Sequence, residues 1–461
     1  MDAKQLPGPG RIEQVGTLRR LLADPVPVLD ELSATWGPMT GLGFGPMRLA
    51  VVGDPKAVSD LFAMSTDRFR WDHKFNVLGF VVGKSSLIVS DGPEHHRRRR
   101  AVTPGFGRRR LNGWIPMIVA ETDAAIDRIA STRSHSDAPL DLYPVGRNLV
   151  LRIVVRAMFG ESMAAHADEI EALFQRPQAY LESPAVKQLP HPFPLTARAR
   201  VRSDRRRLHA IIDEQIAQRR SSDHGEASDV LSELVTSDAL SDEEIRDQVV
   251  TLIGAGYDTT SASLAWMIWR ATTTRGLWER LGREARDAFG VDDPTGAEVD
   301  ATLLGRLGLA NGVMHETLRL HPAGVFGPRE AGTDLEVGGF RIPRGTLILW
   351  SPYLVGRDPG VWPEPKRFDP DRFVELDHAQ GAAAKRGWVP FGGGARNCVG
   401  FALAQMELTI IIARLAQRLR LTPTTDEVPR PYGMVVNRPI GGVPMRIQVY
   451  EEGSSCCEPT I

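Results

Sequence analysis

The chain has 461 residues, 42% hydrophobic and 25% charged, with 56 Lys and Arg against 57 Asp and Glu. So even a balance excludes a general pull toward nucleic acid or anionic lipid, and the composition is that of a globular enzyme, not of a disordered or fibrous chain. Its 3 cysteines make no disulfide framework, so a reducing, cytoplasmic setting is expected.

The N-terminal arm, residues 1–15, has no apolar core of the signal-peptide kind. Nowhere do about 18 apolar residues run together, so no membrane anchor is expected. Residues 39–53, MTGLGFGPMRLAVVG, predict two short strands around a Gly-Pro turn. From about 55 to 240 helical patterns dominate. They are interrupted by an apolar, irregular stretch at 71–90. A second interruption, 177–194, carries Pro177, Pro184, Pro190, Pro192 and Pro194, a density that predicts no continuous helix. The polar run RRSSDHGEASD, 219–229, predicts a surface loop open to proteolysis.

Residues 241–275 give the clearest helix. Ser241 and Glu244 form a capping box, and about 33 residues at roughly 1.5 Å each make a rod of about 50 Å. Ile245, Val249, Leu252, Ile253, Leu264, Met267, Ile268 and Trp269 cover more than one face, which predicts burial all round. The middle of this helix, GAGYDTTS at 254–261, breaks the pattern. Gly254 and Gly256 each cost about 1 kcal/mol in a helix interior, and Asp258 puts an acid among apolar residues. Thr259 and Thr260 can bond back to the carbonyl four residues earlier. A flat group lying where Ala255 and Gly256 lack side chains, with Asp258 and Thr259 managing protons, explains these costs. Close helix packing at small residues, with Asp258 paired to an arginine elsewhere, explains them equally well.

Glu316 and Arg319 sit one turn apart on a helix that ends at Pro322. Val313, Met314, Leu318 and Leu320 around them predict a buried pair, which needs further partners. Arg372, in the proline-rich stretch 357–373, is the best placed to complete a structural clamp. Strand-like pieces cover 334–351, and a terminal hairpin is expected around NRPIGGVPMRIQVY, 437–450. The whole predicts one domain over 1–461, mainly α with a smaller β part, ending in a polar tail at 451–461 that holds Cys456 and Cys457.

Ahead of that hairpin, FGGGARNCVG (391–400) isolates Cys398 just before a long apolar helical run. Free N–H groups and the dipole at a helix start predict a lowered thiol pKa. Gly392, Gly393, Gly394 and Gly400 allow a tight turn and close approach to a bulky group, and Arg396 can reach a carboxylate on it. No further Cys or His stands nearby at zinc-ligand spacing; a nucleophilic thiol with a distant activating histidine stays open. One thiolate, glycine clearance and a cation for carboxylates together fit haem.

With these residues the chain resembles the cytochrome P450 haem-thiolate monooxygenases, soluble bacterial type. Phe391, Gly394, Arg396, Cys398 and Gly400 match the cysteine-loop pattern, and Ala255, Gly256, Asp258 and Thr259 match the central-helix pattern. Glu316 and Arg319, with Arg372 in PDRF, match the family's clamp. GPEHHRRRR looks like the segment that sends His95 and Arg99 to haem propionates, and Arg329 in FGPREAG resembles a further contact of that kind.

The resemblance implies the cytochrome P450 fold, with haem b (iron protoporphyrin IX) buried between the central helix and the cysteine-loop helix. Cys398 would be the axial ligand of the haem iron. Phe391, Gly392, Gly400, Ala255 and Gly256 would line the haem, with His95, Arg99, Arg329 and Arg396 serving its propionates. Thr259 and Asp258 would be catalytic, handling protons while one atom of O2 enters a lipophilic substrate. Electrons would come from NAD(P)H through a ferredoxin or flavodoxin-type partner and its reductase, and the protein would be a monomer. Arg97, Arg98, Arg100 and Arg108–Arg110 would form a basic face, either steering an acidic redox partner or merely solvated. By family position the pocket would draw on 71–90, 174–195, Leu252, Ala255, Val325, Phe326, Met434 and Val435. An isomerase or peroxygenase without external electrons, and a haem sensor or ligand carrier, are the alternatives; the intact Asp258–Thr259 pair speaks against both.

Overall fold

A computed structural model describes residues 4–45, 47–72, 77–133, 138–183, 188, 196–221, 229–290, 300–374, 381, 384 and 386–450. The longer helices, in chain order, are α1 (Arg11–Ala23), α2 (Pro25–Trp36), α3 (Pro55–Ala63), α4 (Gly92–Val102), α5 (Arg108–Arg133) and α6 (Leu142–Ala164). They continue with α7 (Ala167–Leu181), α8 (Ala197–Ser221), α9 (Asp242–Thr273), α10 (Leu277–Phe289), α11 (Gly308–Leu320) and α12 (Phe401–Arg418).

The central rod is α9, of 32 residues. Ser241 Oγ accepts the Glu244 N–H, and the Glu244 carboxylate accepts the Ser241 N–H, so the reciprocal cap forms as its spacing predicts. Asp242, Glu243 and Glu244 add negative charge at the positive end of the helix dipole. From Ile245 to Ala271 most side chains are buried, because a rod apolar on every side must be surrounded. The neighbours α6, α8, α11 and α12 surround it. Helix α12 in turn packs on α5 through a buried bidentate pair, Arg414 Nε and Nη2 donating to Asp123 at 2.7 and 3.0 Å.

The β part is led by a five-stranded sheet of β1 (Met39–Phe44), β2 (Met47–Val52), β3 (Phe69–Arg70), β4 (Gly327–Ala331) and β5 (Leu347–Trp350), ordered β1-β2-β5-β4-β3. The expected hairpin is β1–β2, in register from Met39↔Val52 to Phe44↔Met47. Strand β2 lies parallel to β5, and β4 is antiparallel to both β5 and β3.

Two expectations need correcting. Pro177 does not end its helix: α7 runs on to Leu181 with the proline buried inside it, so the packed face outweighs one lost backbone bond. The Gln188 side chain then caps the end, donating to the carbonyls of Tyr180, Leu181 and Ser183 at 3.0, 2.9 and 2.9 Å. The remaining prolines of that segment, and 222–228 of the expected surface loop, lie outside the described residues. The terminal hairpin does not form either. Strand β7 (Arg438–Pro439) pairs with β6 (Pro431–Tyr432), while Pro444–Val449 pairs with Leu419–Pro423 and Leu140–Asp141. Gly441 and Gly442, at φ +82° and +72°, turn the chain between the two sheets. Asp141 Oδ1, accepting the Val443 N–H at 2.7 Å, draws it toward the second.

Among the described residues no helix is long and apolar enough to cross a membrane.

Candidate functional site

The cysteine loop folds back on itself. Cys398 N–H donates to the Phe391 carbonyl at 2.9 Å, Asn397 N–H to Gly394 at 3.1 Å, and Gly392 N–H to Val389 at 3.0 Å. Gly392 and Gly394 adopt φ +69° and +65°, which side chains resist. A Cβ on Gly393 or Gly394 would come within 2.4 or 2.3 Å of Phe62, at the end of α3. These glycines therefore serve the docking of the loop on α3 as well as its turn. Gly400, which precedes α12, has room: a Cβ there would meet nothing nearer than Phe106 at 3.8 Å. The Phe391 ring stands edge-on to Trp388 and Phe401, with centroids 5.8 and 6.3 Å apart.

Cys398 keeps accessible surface, yet enough protein surrounds it for burial to push the thiol pKa up, with the Gly400 N–H and Arg99 pulling the other way. The expected lowering is thus corrected: the helix-start donor is present, but desolvation outweighs it. Coordination to a cation would reverse that balance.

Four basic residues gather in and beside the loop. Arg99 departs from its expected role. It donates to the Asn397 carbonyl and side-chain oxygen at 2.7 and 2.6 Å, fixing the residue before Cys398. The other three have unmet donors. His95 is fully buried with neither ring nitrogen partnered, and burial beside Arg396 and Arg99 holds it down to about 3. Arg396 lies 3.7 Å over the Trp71 ring and donates to the Ser90 carbonyl and, at 3.4 Å, to Asp91, leaving Nε unmatched. Arg329, on β4, donates to the Leu61 carbonyl at 3.1 Å among Phe62, Phe69 and Trp71, and its Nε is also unmatched. Burial lowers both arginines to about 10, so they stay charged at neutral pH. Buried donors with no acceptor, two of them cationic, call for an anion. Carboxylates of a haem beside a lone thiol fit that requirement.

On α9 the two explanations left open by the sequence divide the residues between them. Ala255 is exposed within an otherwise buried rod, and Thr259, one turn on, donates its hydroxyl to the Ala255 carbonyl at 2.6 Å. Gly254 instead serves close packing, since a Cβ there would meet Phe174 at 3.0 Å, whereas a Cβ on Gly256 would make ordinary contact with Val154 at 3.4 Å. Of the two small residues expected to give clearance, Ala255 is exposed and Gly256 half-buried. Asp258 is buried, and Arg438 Nη2 donates to its Oδ2 at 3.3 Å while Oδ1 has no partner. Burial pushes its pKa up, and Arg438 and Arg147 pull it down. Arg438, on β7, is the arginine that the packing explanation required; nothing in the sequence around it signals a partner 180 residues away.

The clamp forms as its spacing predicts. Arg319 Nε and Nη2 donate to both Glu316 oxygens at 2.6 and 2.7 Å. Arg319 also reaches the carbonyls of Gly356, Pro365 and Arg367. Arg372 Nε and the Asp369 N–H donate to Glu316 Oε1 at 3.1 and 2.8 Å. The proline-rich segment is thereby tied to α11.

The basic face is smaller than expected. Arg97 and Arg98 both pair with Glu244 at the start of α9, and Arg110 pairs with Glu233 at 2.5 Å. Arg100, Arg108 and Arg109 are exposed.

A lone thiol just before a helix start and a set of buried donors that lack acceptors fit a haem-thiolate protein. The Cytochrome P450 family profile matches residues 6–443, and the chain belongs to that family. It is 34% identical over 391 residues to cytochrome P450 139 of Mycobacterium tuberculosis, covering 84% of this chain and 88% of that protein. Cyclooctat-9-en-7-ol 5-monooxygenase of Streptomyces melanosporofaciens is 30% identical over 433 residues, covering 90% and 89%. Cyclooctatin synthase of the same organism is 33% identical over 374 residues, covering 78% of each. The fold matches that of retinoic acid-bound cyanobacterial CYP120A1, with a TM-score of 0.84 at 22% identity over 98% of this chain and 100% of that one. The chain is accordingly a cytochrome P450 monooxygenase, and its family implies haem.

Proposed function

We propose that this enzyme inserts one oxygen atom of O2 into a lipophilic small molecule, using NAD(P)H-derived electrons delivered by a ferredoxin or flavodoxin-type partner with its reductase. Haem, when bound, would supply the redox chemistry of dioxygen cleavage. Cys398 would be its axial ligand, and His95, Arg329 and Arg396 would hold its carboxylates. The observation that carries this assignment is the set of unmatched buried donors on those three residues.

Arg99 would keep the loop in register through Asn397. Phe391, Gly392 and Gly400 would flank the ligand, and Ala255 would give clearance on the opposite side. Thr259 would hold a proton at its hydroxyl, and Asp258 would take protons from water and pass them on, a general acid–base role worth about 10²–10⁴-fold. Exposed Arg100, Arg108 and Arg109 would receive an acidic partner by electrostatic steering. Phe326, Met434 and Val435, pocket residues by family position, would favour an apolar substrate; Val325 is buried in the core instead. The similarity to an oxygenase of cyclooctat-9-en-7-ol supports a terpene-like skeleton.

The test is spectral and then chemical. The reduced protein with carbon monoxide should give the thiolate-type shift, and Cys398→Ser should lose it. Retention of the shift in that variant would reject Cys398 as ligand. A library of terpenoid and other lipophilic compounds, screened by spectral binding and then by turnover with surrogate redox partners, should yield oxygenated product; turnover that needs no external electrons would favour a peroxygenase.

A further inference from the structure

Asp258 shares its cation. Arg438 Nη2 stands 3.3 Å from Asp258 Oδ2 and also 3.3 Å from Glu182 Oε1, both long for charge-assisted hydrogen bonds. One guanidinium nitrogen is divided between two carboxylates whose side chains are only 9% and 8% exposed. The two acids are otherwise unequal. Glu182, just past the end of α7, also accepts the N–H groups of Met434, Val435 and Val436 at 2.6, 3.3 and 3.2 Å. Asp258 Oδ1 accepts nothing.

The groups around them are polar and incompletely matched. Arg147 donates to the Tyr257 hydroxyl and to Gln178, the latter at 2.7 Å. Arg147 and Glu182 both act on the Asp258 charge. Tyr143 Oη, Arg147 Nε, Gln178 Nε2 and Arg438 Nε are buried without partners. Buried polar atoms grouped in this way are ordinarily met by ordered water, which gives Asp258 a local source of protons.

We propose that Arg438 is a positioning residue for Asp258 and that Glu182 competes for the same guanidinium, so that one shared cation couples the Met434–Val436 turn to the acid. This rests on the monooxygenase reading, which puts that turn against the substrate. With Arg438 drawn to Glu182, Asp258 lacks its counter-ion and takes a proton that the adjoining water relays from bulk solvent. With Arg438 drawn to Asp258, the carboxylate is favoured and the proton leaves toward Thr259. Substrate pressing on the turn shifts Glu182, and through Arg438 it shifts proton supply.

The experiment compares Arg438→Gln, Arg438→Lys and Glu182→Gln with the parent protein. Arg438→Gln should lower product formed per electron pair by about tenfold, divert the difference to peroxide and enlarge the solvent deuterium isotope effect. Arg438→Lys keeps the charge but not the planar fork, so it should fall between. Glu182→Gln should speed amide hydrogen exchange at Met434–Val436 by about tenfold, in the haem-free chain as well as the loaded one. Unchanged coupling and isotope effect in both Arg438 variants, with parental thermal midpoint and spectrum, would overturn the proposal; so would unchanged exchange in Glu182→Gln. A parent protein without a thiolate spectrum would instead sink the monooxygenase reading, and this proposal with it.

Discussion

Among the buried acid–arginine networks of the described residues, the clamp and the group around Asp258 are built differently. In the clamp, Glu316 and Arg319 meet at 2.6 and 2.7 Å, both side chains are sealed from water, and Arg372, Asp369 and three carbonyls take up their remaining capacity. Around Asp258 the distances are 3.3 Å, one cation serves two acids, and Oδ1 and Arg438 Nε lack partners. A saturated network fixes one geometry, because any change breaks several bonds at once. An undersaturated one leaves atoms free to exchange partners and protons. Saturation, more than burial or charge, separates the support from the working group.

The largest test of this contrast is removal of the arginine from the clamp. Arg319→Ala leaves buried Glu316 with donors on Oε1 alone, frees three carbonyls of the proline-rich segment, and should destabilise the fold by about 3–5 kcal/mol. A thermal midpoint close to that of the parent would break the comparison. Asp258→Asn should show the reverse signature: stability within about 1 kcal/mol, because the acid is poorly matched already, but a loss of turnover of about 100-fold. Equal losses of stability in the two variants would erase the distinction.

Glu407 on α12 sharpens it further. It is fully buried, bonded to Thr260 of α9, with Oε2 unmatched, and burial pushes its pKa up to about 8. Its folded-state pKa is raised, so the folded chain keeps a proton that the unfolded chain releases. Stability from this group is full below the ordinary carboxylate range and falls as pH rises toward 8. Glu407→Gln should remove that slope, read as melts at pH values across the window; a slope equal to that of the parent would refute the assignment.

The smallest expected effect concerns His95. Held down to about 3 by burial and its arginine neighbours, it should titrate higher once a carboxylate faces it. Histidine NMR of haem-free and loaded protein should show the rise, and an unchanged value would remove His95 from the propionate set.

Features set by local spacing were legible in the sequence. The Ser241–Glu244 cap, the one-turn separation of Glu316 and Arg319, and the Gly-rich approach to Cys398 each depend on residues a few positions apart. Features set by tertiary placement were not. No local pattern says that Gly256 faces Val154, that Arg99 serves Asn397, or that Asp258 and Glu182 share Arg438 across long stretches of chain. The lowered thiol pKa failed for a related reason: the helix start was visible, but the degree of desolvation was not.

Consecutive arginines on α4 point two ways. Arg97 and Arg98 grip Glu244 at the start of the central rod, and Arg99 grips Asn397 next to the sulfur. That short helix ties the start of α9, the helix that bears Asp258 and Thr259, to the loop that bears Cys398. Changes at Arg97 and Arg98 should therefore shift α4 against α9 while leaving His95 and Arg99 in place.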